Sequence, residues 1–354
     1  MNGLKKETRP KASSVVETFG CGPYKEYRIP GIVVLDSGTV MCCYEGRMES
    51  HNDWARIDIV VLRSTNKGRD FTRTVIASSD GLSQEENVTW NNPVLIADKE
   101  LVHLIFHKNY ETAYHCVSFD DGVTFSKPRD ITPAFREFEY PWNVCASGPG
   151  HGISLKSGRL LVPVWIANGE KLDESGRRKA HNPSTSGAVY SDDRGVTWHA
   201  GAMVSGITNA NETSAAETAD GTVLFNIRNG EPEKCRVLGI SSDGGLSLKR
   251  VWKEESLPDP KCFSGTAETS DGRIILVNCA NRDLEHPAGK RLFLTVWTSV
   301  RGSGDWKTQI YVDFYGGYAD VAAFGGEIYV FYEQCVWTEE FKRVNRLILK
   351  RYQM

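Results

Sequence analysis

Three arginines stand beside strand-like segments: Arg28 in Tyr27-Arg28-Ile29-Pro30, Arg228 in Phe225-Asn226-Ile227-Arg228-Asn229, and Arg291 in Lys290-Arg291-Leu292-Phe293-Leu294. A guanidinium is a rigid planar fork of donors that fits a carboxylate, so three of them converging would trap a carboxylate strongly. Such a cluster is costly without an anion to match it. Any one of them alone reads as an ordinary surface charge in a chain with 42 basic residues. They can meet only if the fold gathers segments that lie far apart in sequence.

A repeat points to such a fold. Residues 118–125 and 191–198 both read S-x-D-x-G-x-T-aromatic, residues 241–248 are a worn copy, and residues 64–71 and 299–306 are degenerate ones with Asn66 and Arg301 at the aspartate position. The serines at 64, 118, 191, 241 and 299 lie on average about 59 residues apart, which divides the chain of 354 residues into almost six units. Each copy follows a β-rich run (IDIVVLRS, TAYHCVS, SGAVYS, CRVLGIS, RLFLTVWTS). Its Asp and Gly suit a tight hairpin turn, one as an acceptor for backbone N–H groups and the other as a residue tolerant of positive φ. The closing aromatic can plug the space beneath the turn, so the repeats read as structural and remote from any active centre.

Strand segments with little helical periodicity and 33 glycines then predict an all-β fold, a six-bladed β-propeller of four-stranded antiparallel blades. Length alone would suggest two domains, but the repeat favours a single domain over residues 1–354, with 1–20 a loosely ordered N-terminal segment. The run Arg346 to Tyr352 is expected to share a blade with an N-terminal strand, closing the ring and removing open edges. Innermost strands then converge on one axis, and scattered residues can share a pocket.

Composition narrows the function. The chain is 40% apolar and 25% charged, with a formal charge of -3, so it lacks the basic footprint that phosphate backbones require and nucleic acid is not an expected partner. No apolar run approaches the roughly 18 residues of a membrane span, and no membrane partner is expected. The N-terminal lysines have no apolar segment behind them as a secretory signal would, which reads as a cytoplasmic protein. Nine cysteines without a C-x-x-C spacing read as reduced, mostly buried thiols, and no metal or organic cofactor is expected.

From Tyr27 to Glu333 the chain resembles the sialidase (neuraminidase) superfamily. The resemblance rests on an ordered set: YRIP, Glu45-Gly46-Arg47, the repeats as Asp boxes, GPGHG at 148–152, Asn211-Glu212, NIRN, an arginine before a strand, GYAD at 317–320 and FYE at 331–333. One Asp box is shared by many unrelated propellers, whereas the ordered set is specific. GYAD stands where Ser-Asp is more usual after the tyrosine.

The resemblance implies that Arg28, Arg228 and Arg291 bind the carboxylate of a sialic acid. It further implies Tyr318 as nucleophile, Glu212 as its base, Asp53 as acid/base, Glu333 as the carboxylate that holds Arg28, and Arg47 as a further substrate-binding residue. A physical reason supports a tyrosine: the anomeric carbon bears a carboxylate, which would repel an anionic nucleophile. A neutral phenol avoids that repulsion but, with a pKa near 10, needs a partner to take its proton.

Two of the assignments have rivals. Glu217 shares a segment with Glu212, but an odd separation turns the two opposite ways in a strand. Asp58 competes with Asp53 but sits inside a strand-like run, whereas Asp53 lies in a polar loop. His51 reads as solvent exposed and His151 as supporting a turn, and Trp54, Trp90, Tyr140 and Trp142 read as core and stay off the site. The resulting expectation is an exo-α-sialidase, retaining, acting on sialic-acid-containing oligosaccharides or glycoconjugates, with small sialosides favoured. The alternatives are the same machinery on another nonulosonic acid such as deaminated sialic acid, an intramolecular trans-sialidase, and a non-catalytic glycan- or protein-binding propeller.

Overall fold

A computed structural model describes residues 9–80, 88–169, 179–300, 302, 304–337 and 343–354. It contains six antiparallel sheets arranged as the blades of a propeller. Blade 1 runs Glu26–Val34, Val40–Arg47, Ile57–Ser64 and Thr72–Ala77. Blade 2 runs Trp90–Asp98, Leu101–Lys108, Thr112–Ser118 and Arg129–Asp130, and Gly150–His151 adds parallel to its first strand. Blade 3 runs Val144–Ser147, Leu160–Ala167, Ser184–Ser191 and His199–Met203, with Ile153–Ser154 added to its second strand. Blade 4 comprises Thr213–Glu217, Val223–Ile227, Cys235–Ser241 and Arg250–Pro258, and blade 5 comprises Gly265–Glu268, Ile274–Cys279, Leu292–Ser299 and Lys307–Tyr315.

Blade 6 joins Ala319–Phe324, Glu327–Trp337 and Arg343–Gln353 to the N-terminal strand Ala12–Thr18, which pairs Ala12 with Arg351 and Thr18 with Arg346. The chain ends therefore share a blade, as the sequence predicted, and the N-terminal strand becomes its outer, fourth strand. The expectation of a loosely ordered segment over 1–20 is corrected for residues 12–18. Alternation of apolar Val15 with Ser14 and Val16 is weak, but Tyr44 donates to Glu17 at 2.6 Å and anchors the strand to blade 1.

Burial follows position within a blade. Val40–Arg47 and Leu160–Ala167 are buried at every residue, because a second strand is covered on both faces by neighbouring blades. The outer strand Thr72–Ala77 is mostly exposed. The core accordingly lies between blades: Ile32, Val40 and Val60 of blade 1 pack against Tyr329, Phe331 and Leu349 of blade 6, and Val33, Met41 and Val61 pack against Leu95, Leu104 and Phe106 of blade 2.

All five repeats connect the third strand of a blade to its fourth. In the copy at 191, Ser191 Oγ donates to Asp193 at 2.8 Å and accepts from Gly195 N at 2.8 Å, while Asp193 accepts from Thr197 N at 2.7 Å and Thr197 Oγ1 at 2.6 Å. Gly195 has φ 82°, the left-handed conformation the turn needs. The turn at 66 keeps this shape because the amide oxygen of Asn66 accepts from Arg69 N at 3.1 Å and Asp70 N at 3.0 Å. Arg301 lies outside the described residues. The closing aromatics Trp198 and Trp306 are buried under their turns.

Candidate active site

The sequence-predicted residues come from strand ends on one side of the ring. Arg28 lies in the first strand of blade 1, whose register slips between Arg28 and Gly31. Arg228 directly follows the strand Val223–Ile227, and Glu212 directly precedes its neighbour Thr213–Glu217, so the antiparallel pair sets them side by side; Arg228 N donates to the carbonyl of Glu212 at 2.8 Å. Arg291 precedes Leu292–Ser299 and Tyr318 precedes Ala319–Phe324. Together with Asp53 from the loop after Val40–Arg47 they line one cavity of about 360 Å³, within the usual range for small-ligand sites.

Tyr318 is the hub. Its hydroxyl donates to Glu212 Oε1 at 2.6 Å and accepts from Arg228 Nη1 at 2.9 Å, while Arg228 Nη1 also donates to Glu212 Oε2 at 2.6 Å. The guanidinium carbons of Arg28 and Arg291 stand 5.1 and 4.9 Å from the centre of its ring. Burial and the Glu212 carboxylate push the Tyr318 phenol far above its ordinary range, against the pull of Arg228, Arg291 and Arg28, so the free site holds a neutral phenol aimed at a carboxylate. Such a pair can pass a proton as the oxygen forms a new bond.

Glu333 is fully buried and accepts from Arg28 Nε at 3.1 Å, Arg28 Nη2 at 3.3 Å, Ile29 N at 3.0 Å and Tyr318 N at 3.3 Å. One carboxylate thus fixes a guanidinium and two backbone segments, including Ile29 at φ 62°, a left-handed conformation that a β-branched residue rarely adopts.

Asp53 projects from its loop with 45% of the side chain exposed. Its carboxylate is 2.9 Å from Arg47 and 4.0 Å from Arg28. Burial pushes its pKa up, but Arg47 and Arg28 outweigh that and hold it at about 2. Arg47 itself does not line the cavity. It is fully buried behind Asp53, donating to Glu45 at 2.6 and 3.0 Å and to the carbonyl of His51. The side chain of Arg47, expected to bind substrate, is enclosed against Glu45 and Asp53 and has no exposed surface in the free site.

The rivals sit elsewhere. Asp58 is buried and accepts from Tyr24 at 2.9 Å and Ser79 N at 2.7 Å, a structural role. Glu217 lies at the far end of the strand from Glu212, in a second cavity of about 260 Å³. Distance along the strand separates them more than the facing argument did. His151 is also in that second cavity, with Nδ1 2.9 Å from Asp320. Trp90 and Trp142 pack in the core, while Trp54 packs with a tilted ring against Tyr110 and His181.

The cavity contains residues that the sequence reading did not identify: Asn92, Tyr110, Trp165, His181, Asn209, Asn211 and Lys261. Tyr110, Trp165 and His181 form an aromatic wall, with ring centres 4.6 to 6.0 Å apart. Burial lowers the pKa of His181 below its ordinary value, despite Asp53 and Glu212 nearby. Among the described residues no group of three or more His, Cys, Asp or Glu could hold a metal, and no helix is long and apolar enough to cross a membrane.

Comparison with known proteins agrees with this architecture. A family model described as the BNR repeat-like domain matches residues 33–314. A sialidase of Micromonospora viridifaciens is 28% identical over 264 residues, covering 67% of this chain and 38% of that protein. Sialidase-4 of Mus musculus is 36% identical over 151 residues, covering 42% of this chain and 30% of its own length. The chain thus spans well under half of these relatives. Among solved structures, a Hadza microbial sialidase superposes with a TM-score of 0.77 at 21% identity, covering 97% of this chain and 68% of that one. The intramolecular trans-sialidase of Ruminococcus gnavus gives 0.72 at 17% identity, covering 94% and 95%; at such identities the likeness establishes the fold. On the family match and these relatives, the chain belongs to the BNR repeat-like family within the sialidase (neuraminidase) superfamily.

Proposed function

We propose that this protein is a retaining exo-α-sialidase that releases terminal sialic acid from sialosides. The observation that carries the reading is the 2.6 Å hydrogen bond from Tyr318 to Glu212 inside a cluster of three arginines. The relatives named as sialidases support it.

In the first step the Tyr318 oxygen forms a bond to the anomeric carbon and passes its proton to Glu212. The bond to the leaving oxygen breaks, and Asp53 protonates that oxygen. In the second, Asp53 takes a proton from water as the water attacks the anomeric carbon. The tyrosyl bond then breaks and Tyr318 recovers its proton from Glu212. Two inversions give net retention.

Arg28, Arg228 and Arg291 hold the substrate carboxylate and stabilise the charge that develops. Asp53, held at about 2 in the free site, gains basicity as that carboxylate neutralises Arg28, which prepares it to carry a proton. The test is release of umbelliferone from the methylumbelliferyl glycosides of N-acetylneuraminic acid and of its deaminated analogue, with Tyr318→Phe and Asp53→Ala beside wild type. Turnover abolished in the tyrosine variant is expected, and analysis of the released sugar tells hydrolysis from intramolecular transfer. A folded wild-type protein that turns over neither glycoside refutes the reading.

A further inference from the structure

One cation of the cavity has no part in the scheme above. Lys261 lines the pocket from the turn between blades 4 and 5, and its backbone lies at φ 62°, a left-handed conformation costly for a lysine. A buried scaffold enforces it. Asp259 accepts from Cys262 N at 3.0 Å, fully buried Arg236 donates to the Cys262 carbonyl at 2.7 Å and to Asp259 at 3.3 Å, and Asn278 donates to the Pro258 carbonyl. Strain that its surroundings over-determine, at the wall of a binding cavity, is a mark of function. The turn holds the Lys261 ammonium against the Gly230 carbonyl at 3.0 Å, two residues beyond Arg228, with two further N–H groups left over among the described residues.

Charge gives the ligand class. Arg28 is paired with Glu333, Arg47 with Glu45 and Arg228 with Glu212, whereas Arg291 and Lys261 have no carboxylate within ion-pair distance among the described residues. Asp53 is the carboxylate left over, and it is neutral in the form that can protonate a leaving group. Two positive charges then remain, and the carboxylate at the anomeric carbon matches only one.

Resting on the sialidase reading above, we infer that Lys261 pairs with a second negative charge on the substrate, so that the preferred substrates are doubly anionic sialosides. That charge can sit on the leaving sugar or on the sialic acid itself, and two arms of one experiment separate these sources. In one arm a disialoside is compared with sialyllactose; in the other, a methylumbelliferyl sialoside sulfated on its glycerol tail is compared with the unsubstituted glycoside. Each is run with wild type, Lys261→Met, Lys261→Arg, and Lys261→Asn, the last tolerating the left-handed backbone without the charge.

In one arm, kcat/KM of wild type for the acidic member is expected to exceed that for the neutral member by about fivefold at low salt, the worth of a partly exposed ion pair. The ratio falls to about one in Lys261→Met and Lys261→Asn, survives in Lys261→Arg, and shrinks with added salt. A wild-type ratio under about twofold in both arms, or a ratio unchanged in both uncharged variants, overturns the assignment. Turnover of the unsubstituted glycoside distinguishes the two failures: with it intact the Lys261 assignment alone falls, and without it the sialidase reading falls as well.

Discussion

Replacing Arg47 by Met tests whether this side chain supports the site or touches substrate. Arg47 and Glu45 are both fully enclosed, with Arg47 donating to Glu45 at 2.6 and 3.0 Å. Removing the cation leaves a buried, uncompensated carboxylate, which costs about 3 to 5 kcal/mol. For 354 residues, an unfolding entropy of about 2.1 cal/mol/K per residue is about 0.7 kcal/mol/K, so the thermal midpoint should fall by about 4 to 7 °C.

Glu45 also accepts from Asn92 N at 2.9 Å, so the compensating change must keep an acceptor. Gln does and Leu does not, and the double variant Glu45→Gln/Arg47→Met should recover at least half of the loss. Activity supplies a second readout. Arg47 is the nearer of the two cations that hold Asp53 at about 2, so its removal raises that pKa. A stronger base keeps its proton to higher pH, and the alkaline limb of kcat/KM should therefore move up. A variant as stable as wild type, a double variant weaker than the single one, or a raised KM with an unmoved limb would refute the reasoning.

The remaining predictions concern the proposed nucleophile Tyr318, a turn and the N-terminal strand. Tyr318→Phe and Glu212→Gln should each lower kcat by about a hundredfold or more, and the double variant should be no worse than Tyr318→Phe alone, because the two act as one unit; single-turnover kinetics checks this. Asp193→Ala should cost about 1 to 2 kcal/mol of stability by losing its hydrogen bonds with Ser191 and Thr197, and leave umbelliferone release unchanged. Although burial pushes its pKa up, bonds from Thr197 and Ser191 hold Asp193 at about 2, so its contribution is full above the ordinary value of 3.8 and is lost as pH falls toward 2. Asp193→Asn should flatten stability in that window, as urea midpoints against pH will show. Deleting residues 1–18 exposes the edge of Arg343–Gln353 and should shift the protein toward aggregates on size exclusion, relative to the full chain.

The blades were legible because their turns are local. Asp193, Gly195 and Thr197 make their bonds within one short segment, so spacing alone specified the turn, and even Asn66 kept it by supplying the same kind of acceptor. The cavity was less legible, since its walls come from residues whose neighbours are remote in sequence. Arg47 stands in a motif as a pocket residue would, yet the bulge at Arg28 and the inward loop at Asp53 put a carboxylate between it and the cavity. Ile29, Asn92, Asn209 and Lys261 all line the pocket with positive φ, at 62°, 49°, 55° and 62°. Asparagine tolerates this region, but Ile29 and Lys261 carry no such signal; bonds made elsewhere impose their conformations, by Glu333 on Ile29 and by the buried Arg236 and Asp259 around Lys261. Backbone strain that only tertiary contacts can sustain has no signature in a single sequence, which is why Ile29 and Lys261 stand in the cavity wall with nothing in their residue types to announce it.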